Sequence, residues 1–266
     1  MNIYKQELKF YRRSAIIWMC VFGFGIFAYM SLLPAFAKDV SGSLKILEGF
    51  PPAVRAALGI KLDIFFTVFG FFGYLLTYLW MVGAIQAMNL GAGILSKEVA
   101  GKTADFLLSK PISRVKVLTS KLLAALTILV MTNIVFVASS YLSAKAFAAA
   151  SFDTNKFLLI TSTMILVQIF FLALGYLVSV LVPKIKTVLA YSLPIVFGFF
   201  IVGLLDSVIG TEAIRYITPF KYFDISYMLA NNGYDWKFVV TEAIFVVVCI
   251  VATYIIYLRK DIQAAA

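Results

Sequence analysis

Apolar residues form six long runs along the chain, and polar residues are confined to the short segments between them. A helix rises about 1.5 Å per residue, so about 20 apolar residues cross the ~30 Å hydrocarbon layer of a bilayer. The runs that reach this length are residues 14–37, 64–95, 115–143, 157–182, 187–206 and 238–258. They lack the alternating pattern of barrel strands. We therefore predict an all-α integral membrane protein, with residues 1–266 forming a single transmembrane domain of six helices.

Three flanking segments predict shorter helices. Residues 1–13 place Tyr4, Leu8 and Tyr11 at helical spacing, which predicts an N-terminal interfacial helix at the membrane surface. Pro51-Pro52 in the first connecting loop predicts the start of a short helix, since proline is tolerated in a first turn. The segment 207–237 is too apolar for a solvated loop and too interrupted for a span. We expect partly buried external helices there, before the sixth span.

The composition and the charge agree with this class and orient it. The chain is 62% hydrophobic and 14% charged, whereas soluble domains are about 45–50% apolar and about 25% charged. Six crossings place both termini on one face, together with the loops after the second and fourth spans. That face carries the whole net charge of +10. The positive-inside rule makes it cytoplasmic, so we predict a multi-pass protein of the cell membrane with both termini inside. Membrane topology explains the basic bias, and we expect no nucleic-acid partner.

Few residues inside the spans offer chemistry. The chain has no histidine, which removes imidazole metal sites and histidine general bases, and we predict no catalytic or metal site. The uncharged polar residues of the spans are candidates either for a translocation path or for hydrogen bonds between helices. The candidates for the path are Gln86, Asn89, Asn133, Gln168 and Tyr191. Close helix packing, either within the chain or across a dimer interface, is expected at four glycines of the first and fifth spans. These are Gly23, Gly25, Gly198 and Gly203.

Gly101-Lys102-Thr103 resembles part of a phosphate-binding loop but does not complete one. The motif G-x-x-x-x-G-K-[ST] requires its first glycine at position 96, where this chain has Ser96. The motif also follows a buried strand and opens a helix, whereas this segment follows a predicted membrane helix. We expect no ATPase activity in this chain.

The same loop, residues 96–114, has the pattern of a two-faced helix ending near Ser109. A polar stripe is formed by Glu98, Gly101, Lys102, Asp105 and Ser109, and an apolar one by Ala100, Thr103, Ala104, Leu107 and Leu108. Pro111 ends the helix because it disfavours helical geometry in the residue before it. Ser113 is then placed to cap the third span. An amphipathic interfacial helix without a partner would give the same pattern.

The order of residues in this loop resembles that of a known family. The run Glu98-x-x-Gly101-Lys102-Thr103-x-x-x-Leu107-Leu108-Ser109-x-Pro111-Ile112-Ser113-Arg114 is similar to the E-x-x-G-T-x-x-x-L-L-x-x-P-I-S-R pattern of type-2 ABC exporter permeases, the membrane subunits of bacterial ABC transporters. Lys102, between the glycine and the threonine, is the departure. The arrangement of six spans extends the resemblance to the whole chain.

The resemblance implies that the loop holds a coupling helix between helices 2 and 3, which docks on a separate ATPase subunit. The residues that it places at the ATPase contact are Glu98, Gly101, Asp105, Leu107 and Leu108. ATP and Mg would be bound by that partner, so no cofactor is expected in this chain. The resemblance also implies a second permease copy, as a homodimer or with a close paralogue. Lys110 and Arg114 are candidates for contact with membrane lipid phosphates.

We therefore expect the permease subunit of an ATP-driven exporter of amphipathic or hydrophobic cargo, such as peptides, toxins or drugs. An ion-coupled secondary transporter is the first alternative, although that class needs ionisable groups or broken helices at the midplane, of which the sequence has almost none. The second alternative is a non-transporting membrane scaffold that recruits a cytoplasmic partner.

Overall fold

The computed structural model of the chain describes residues 2–100, 113–148, 150–182, 185 and 187–259, with backbone alone for residues 98–100. Within these ranges the chain forms helices joined by turns and contains no strand. Among the described residues, six helices are long and apolar enough to cross a membrane. The predicted all-α fold with six spans is confirmed.

The first span is α1 (Ile3–Met30), and it is followed by α2 (Leu33–Lys38), α3 (Val40–Glu48) and α4 (Pro52–Leu58). The second and third spans are α5 (Val68–Ala100) and α6 (Arg114–Phe147). The fourth span consists of α7 (Thr154–Thr161) and α8 (Thr163–Leu181), and the fifth is α9 (Leu189–Ile209). The segment before the sixth span contains α10 (Glu212–Arg215), a 3₁₀ turn (Pro219–Lys221) and α11 (Ile225–Asn231), and the sixth span is α12 (Trp236–Arg259).

The N-terminal region differs from the prediction. The sequence suggested an interfacial helix over residues 1–13 and a span over 14–37, but α1 runs without a break from Ile3 to Met30. No proline or glycine interrupts the helical pattern near residue 13. The helix ends at Ser31, three residues before Pro34, which lies at the start of α2 and cannot continue the hydrogen-bond ladder of α1.

The second span also extends further than its apolar run. The prediction ended this span at residue 95, whereas α5 continues to Ala100. Residues 96–100 therefore belong to the same helix as the span, and no separate helix begins at 96. Lys, Glu and Ala are good helix formers, so the helix continues after the apolar pattern ends.

The second span lies at the centre of the bundle. None of its described side chains is fully exposed, and it contacts the first, third, fourth and fifth spans. Its closest partner is the fourth span, against which Gly91 packs on Gly175. The first span packs on the third, where the rings of Phe22 and Phe136 meet edge to face at 5.5 Å. The sixth span packs on the fourth, through Phe245 and its neighbours.

The expected short helices are present. Helix α4 begins at Pro52, as the Pro51-Pro52 pair predicts. The segment 207–237 contains α10, the 3₁₀ turn and α11, with Pro219, Phe220 and Met228 buried against the spans. Together with the residues just after α4, this segment covers one end of the bundle, remote from Ala100 and Ser113.

Candidate functional site

The loop predicted to hold the coupling helix lies mostly outside the described residues. Gly101, Asp105, Leu107 and Leu108 fall there, and Glu98 is described only as helical backbone at the end of α5. The two helix ends that flank the loop are described. Ser113 caps α6, because its hydroxyl accepts a hydrogen bond from the Lys116 N–H at 3.3 Å. The predicted cap of the third span is confirmed.

Near the described helix ends that flank this loop, three charged side chains from three spans form a cluster that we call the base cluster: Glu7, Lys97 and Lys121. The Lys121 ammonium donates to Oε1 of Glu7 at 2.8 Å and to the carbonyl oxygen of Ile94 at 2.7 Å. The Lys97 ammonium donates to the other carboxylate oxygen, Oε2. The Lys121 side chain is 0% exposed and that of Glu7 is 5% exposed. One carboxylate of the first span therefore joins the second and third spans.

Aromatic rings complete the base cluster on the side of the first span. The Lys97 ammonium lies 4.0 Å from the ring centroid of Phe10 and 4.9 Å from that of Tyr11. A cation at this distance from a ring is attracted by its quadrupole. The sequence analysis missed this cluster, although Glu7 is the only acidic residue before Asp39. A single acid in a basic helix is the signal that could have found it.

Near the middle of the spans, four residues form what we call the core polar cluster: Gln86, Thr132, Asn133 and Gln168. The Gln168 amide donates to Oε1 of Gln86 at 3.0 Å, and the Gln86 amide donates to the hydroxyl of Thr132 at 3.3 Å. The Asn133 amide donates to Oε1 of Gln168 and, at 2.9 Å, to the carbonyl oxygen of Leu129. All four side chains are buried within the chain.

The structure thus brings together three of the residues considered for a translocation path, namely Gln86, Asn133 and Gln168. They join the second, third and fourth spans by hydrogen bonds, which is the alternative role of such residues. Asn89 is in a separate contact, where its side-chain oxygen accepts from the hydroxyl of Ser192 in the fifth span. Tyr191, next to Ser192 in the chain, is half-buried.

At the end of the bundle remote from Ala100 and Ser113 lies a cavity of about 930 Å³, which we call the distal cavity. Tyr74, Thr77 and Trp80 of the second span form one wall. Phe200 and Gly203 of the fifth span form another. The residues after α4 and the segment before the sixth span complete it. The cavity is therefore built from two spans and from the segments that cap them.

Charged residues of both signs line the distal cavity. These are Arg55, Lys61, Asp63, Asp206, Glu212, Arg215, Lys221 and Asp224. Lys61 forms an ion pair with Asp224 at 3.2 Å and donates to the hydroxyl of Ser226 at 2.8 Å. This contact links the segment after α4 to the start of α11, across the wall of the cavity.

Burial and charge shift the pKa values of two of these groups. Burial lowers the pKa of the Lys221 ammonium, although the carboxylates of Asp206 and Asp224 act in the opposite direction. Burial alone would raise the pKa of Asp224, but the charge of Lys61 and a hydrogen bond from the Tyr227 N–H outweigh it and hold that pKa below its usual value. At neutral pH the Asp224 carboxylate is therefore ionised.

A second, apolar depression of about 520 Å³ lies between the third and fourth spans, and we call it the lateral groove. Its lining includes Val130, Ile134, Leu158 and Ile165, with Asn133 as a polar member. Ile134 and Leu158 are exposed on the surface of the chain, so the groove faces outward from the bundle. Apolar molecules at this depth would find hydrocarbon-like surroundings there.

Comparison with known protein families identifies a match over nearly the whole chain. A family model described as ABC-2 family transporter protein matches residues 1–262. The match covers the six spans, the loop after the second span and the segment before the sixth. No curated protein matches the chain.

Proposed function

The chain belongs to the ABC-2 family of transporter proteins and is the membrane subunit of an ABC transporter, and we propose that this transporter exports amphipathic or hydrophobic cargo. Membership implies association with an ABC ATPase. The energy source in this class is ATP hydrolysis by that partner, so an ion gradient is not needed to drive transport. Peptides, toxins and hydrophobic drugs are the cargo classes that we favour.

The observation that carries the proposal is the path of the second span from the loop to the distal cavity. Helix α5 is continuous from Val68 to Ala100. Thr77 in the cavity wall and Lys97 beside the loop are therefore separated by about 30 Å of uninterrupted helix, at about 1.5 Å per residue. A rigid helix that joins the two sites would carry a displacement of the loop to the cavity.

The proposed mechanism starts at the ATPase. Closure of the ATPase dimer pushes on residues 98–113, and the second and third spans, which flank this loop, move. The movement changes the walls of the distal cavity, from which cargo leaves on the side opposite the ATPase. The basic face of the chain would be the cytoplasmic face, as the positive-inside rule implies.

The lining of the distal cavity supports an amphipathic cargo. Aromatic side chains such as Tyr74, Trp80 and Phe200 give it apolar walls. Lys61, Asp224 and the other charged residues give it groups of both signs. A molecule with an apolar body and a charged or polar end would satisfy both sets of contacts.

The coupling loop, residues 96–114, is the proposed ATPase contact, with Glu98, Gly101, Asp105, Leu107 and Leu108 as the contact residues. We also propose that a second permease copy completes the transporter. Both proposals rest on the resemblance of the loop motif and on membership of the family.

The test is co-purification of the tagged chain with its ATPase from membranes. Replacing Leu107 and Leu108 together by aspartate is expected to abolish recovery of the ATPase, because two charges would enter an apolar contact. Lys110→Ala, in the same loop but assigned to lipid phosphates, is the matched control and is expected to retain the ATPase. Full recovery of the ATPase with the Leu107 and Leu108 replacements would show that the contact is elsewhere.

A further inference from the structure

The base cluster assigns a role to a residue that lies outside the loop motif. We propose that Glu7 is a positioning residue that fastens the first span to both helices flanking the coupling loop, so that the three helix ends move as one body when the ATPase acts. This inference rests on the proposed function of the loop. It adds the first span to the elements that the ATPase moves.

The two carboxylate oxygens of Glu7 bind lysines of two different spans. Oε1 accepts from Lys121 of the third span at 2.8 Å, and Oε2 accepts from Lys97 of the second span. Lys97 lies in the last turn of α5, three residues before Ala100, and Lys121 lies about two turns into α6. Within the described part of the chain, the two lysines thus lie on either side of the loop, Lys121 fully buried and Lys97 23% exposed.

Because Glu7 and Lys121 are buried, each depends on the other as its ion-pair partner. An ionised group is costly to bury unless it is paired and hydrogen-bonded. The Lys121 side chain is 0% exposed, and its second hydrogen bond, to the carbonyl oxygen of Ile94, ties it to the second span as well. Loss of the Glu7 charge would leave two lysine ammonium groups facing each other without their shared counter-ion.

Further contacts keep the first span aligned with its neighbours. The hydroxyls of Tyr4 and Thr127 are hydrogen-bonded at 3.0 Å, which is a second polar contact between α1 and α6. Phe10 and Tyr11 pack around the Lys97 ammonium. Within the described residues, Glu7 is the acidic residue that pairs with both helices, so its replacement removes this electrostatic link and leaves the packing in place.

The experiment compares Glu7→Gln with Glu7→Gln/Lys121→Met in the reconstituted complex with its ATPase. A reporter cysteine replaces Thr211, an exposed residue of the distal cavity, after Cys20 and Cys249 are changed to serine and alanine. The readouts are the unfolding temperature, and the rate of Thr211→Cys labelling by a water-soluble maleimide with and without ATP plus vanadate. Glu48→Gln, an exposed glutamate of α3, is the matched control.

We expect the labelling rate to depend on nucleotide in the wild type and in Glu48→Gln. Glu7→Gln should lose this dependence and lower the unfolding temperature. In the double variant the fully buried Lys121 charge is removed together with that of Glu7, and the remaining Lys97 side chain is 23% exposed to water. The unfolding temperature should therefore rise towards that of the wild type while the nucleotide dependence stays lost. If Glu7 only stabilised the fold, the double variant would recover both the unfolding temperature and the nucleotide-dependent labelling.

Two results would overturn the inference alone: nucleotide-dependent labelling that persists in Glu7→Gln, or labelling that recovers with stability in the double variant. If Glu7→Gln does not assemble with the ATPase, the double variant alone tests the inference. Nucleotide-dependent labelling in the double variant would then overturn it. A labelling rate in the wild type that does not change with nucleotide would instead overturn the proposed coupling of the distal cavity to the ATPase. The inference about Glu7 would fall with it.

Discussion

Gly91 of the second span and Gly175 of the fourth lie back to back where the two helices cross. A Cβ atom on Gly91 would lie 2.9 Å from the amide nitrogen of Tyr176 and closer still to the carbonyl oxygen of Leu172. A Cβ atom on Gly175 would lie 2.6 Å from the carbonyl oxygen of Met88. Each position admits only glycine, because the opposing atoms are backbone and cannot rotate away. Small residues are the usual means by which membrane helices approach closely.

Gly175→Ala is therefore expected to destabilise the bundle by about 1–3 kcal/mol, the usual cost of overpacking. Unfolding in detergent, followed by circular dichroism, measures this effect. Gly198→Ala is the matched control, since a Cβ there would meet no described atom within 4 Å. It should be neutral or stabilising by up to about 1 kcal/mol, because alanine favours helix over glycine. Equal effects of the two substitutions would contradict the close crossing.

Gln168→Leu should destabilise the chain by about 1–3 kcal/mol, because Oε1 of Gln86 would remain buried without its donor and the Asn133 amide would keep only its hydrogen bond to Leu129. A double-mutant cycle with Gln86→Leu should show non-additive changes in the free energy of unfolding, as expected for residues in contact. The same variants should leave the range of cargo that stimulates ATP hydrolysis unaltered. A changed cargo range at unchanged stability would instead assign the core polar cluster to the translocation path.

Acidification should weaken the Lys61–Asp224 contact. Because the pKa of Asp224 is lower in the folded chain than its usual value of 3.8, ionised Asp224 stabilises the fold. This stabilisation is complete above the usual value and is lost as pH falls through the folded-state pKa. Both side chains are 42% exposed, so the contribution is at most about 1 kcal/mol.

Unfolding temperatures measured between about pH 6 and about pH 3 test this linkage. The wild type should lose more stability over this range than Asp224→Asn, which has no carboxylate to protonate. Parallel curves for the two proteins would show that the ion pair adds nothing to stability.

A large side chain at Gly203 should obstruct the distal cavity. Gly203 lines this cavity, and a Cβ there would lie 3.6 Å from Phe220 and from Thr218, which is ordinary contact. Gly203→Trp is expected to abolish the stimulation of ATP hydrolysis by cargo, because the indole would fill space that cargo needs. Gly203→Ala adds one methyl group and is the size control. Stimulation that survives the tryptophan would place the cargo elsewhere.

The sequence predicted the elements of the fold well, because membrane spans and helix ends are local features. Apolar length alone located six spans, the Pro51-Pro52 pair located α4, and Ser113 was correctly assigned as a cap. The predicted ends of the first and second spans were wrong, because the apolar run and the helix end at different residues. The helices end at Met30 and Ala100. The second span is apolar on all sides, so no stripe indicated which helices surround it.

The contacts between spans could not be predicted in the same way. Within the described part of the chain, added Cβ atoms at Gly23, Gly25 and Gly198 would meet nothing within 4 Å, so the predicted close packing at these glycines is wrong for this chain alone. Packing there across a second permease copy stays a prediction. The glycines that do pack closely, such as Gly91 and Gly175, have no distinguishing local pattern. Glu7 likewise acquires its role only from lysines that are distant in sequence, 90 residues away for Lys97 and 114 for Lys121.

The central claim is that this membrane subunit exports amphipathic or hydrophobic cargo at the expense of ATP hydrolysed by its partner. The most direct test is to reconstitute the chain with its ATPase in liposomes and follow a fluorescent amphipathic peptide after ATP is added on the ATPase side. We predict ATP-dependent movement of the peptide to the opposite side, abolished by vanadate. Movement towards the ATPase side, or movement driven by an ion gradient without ATP, would contradict the account.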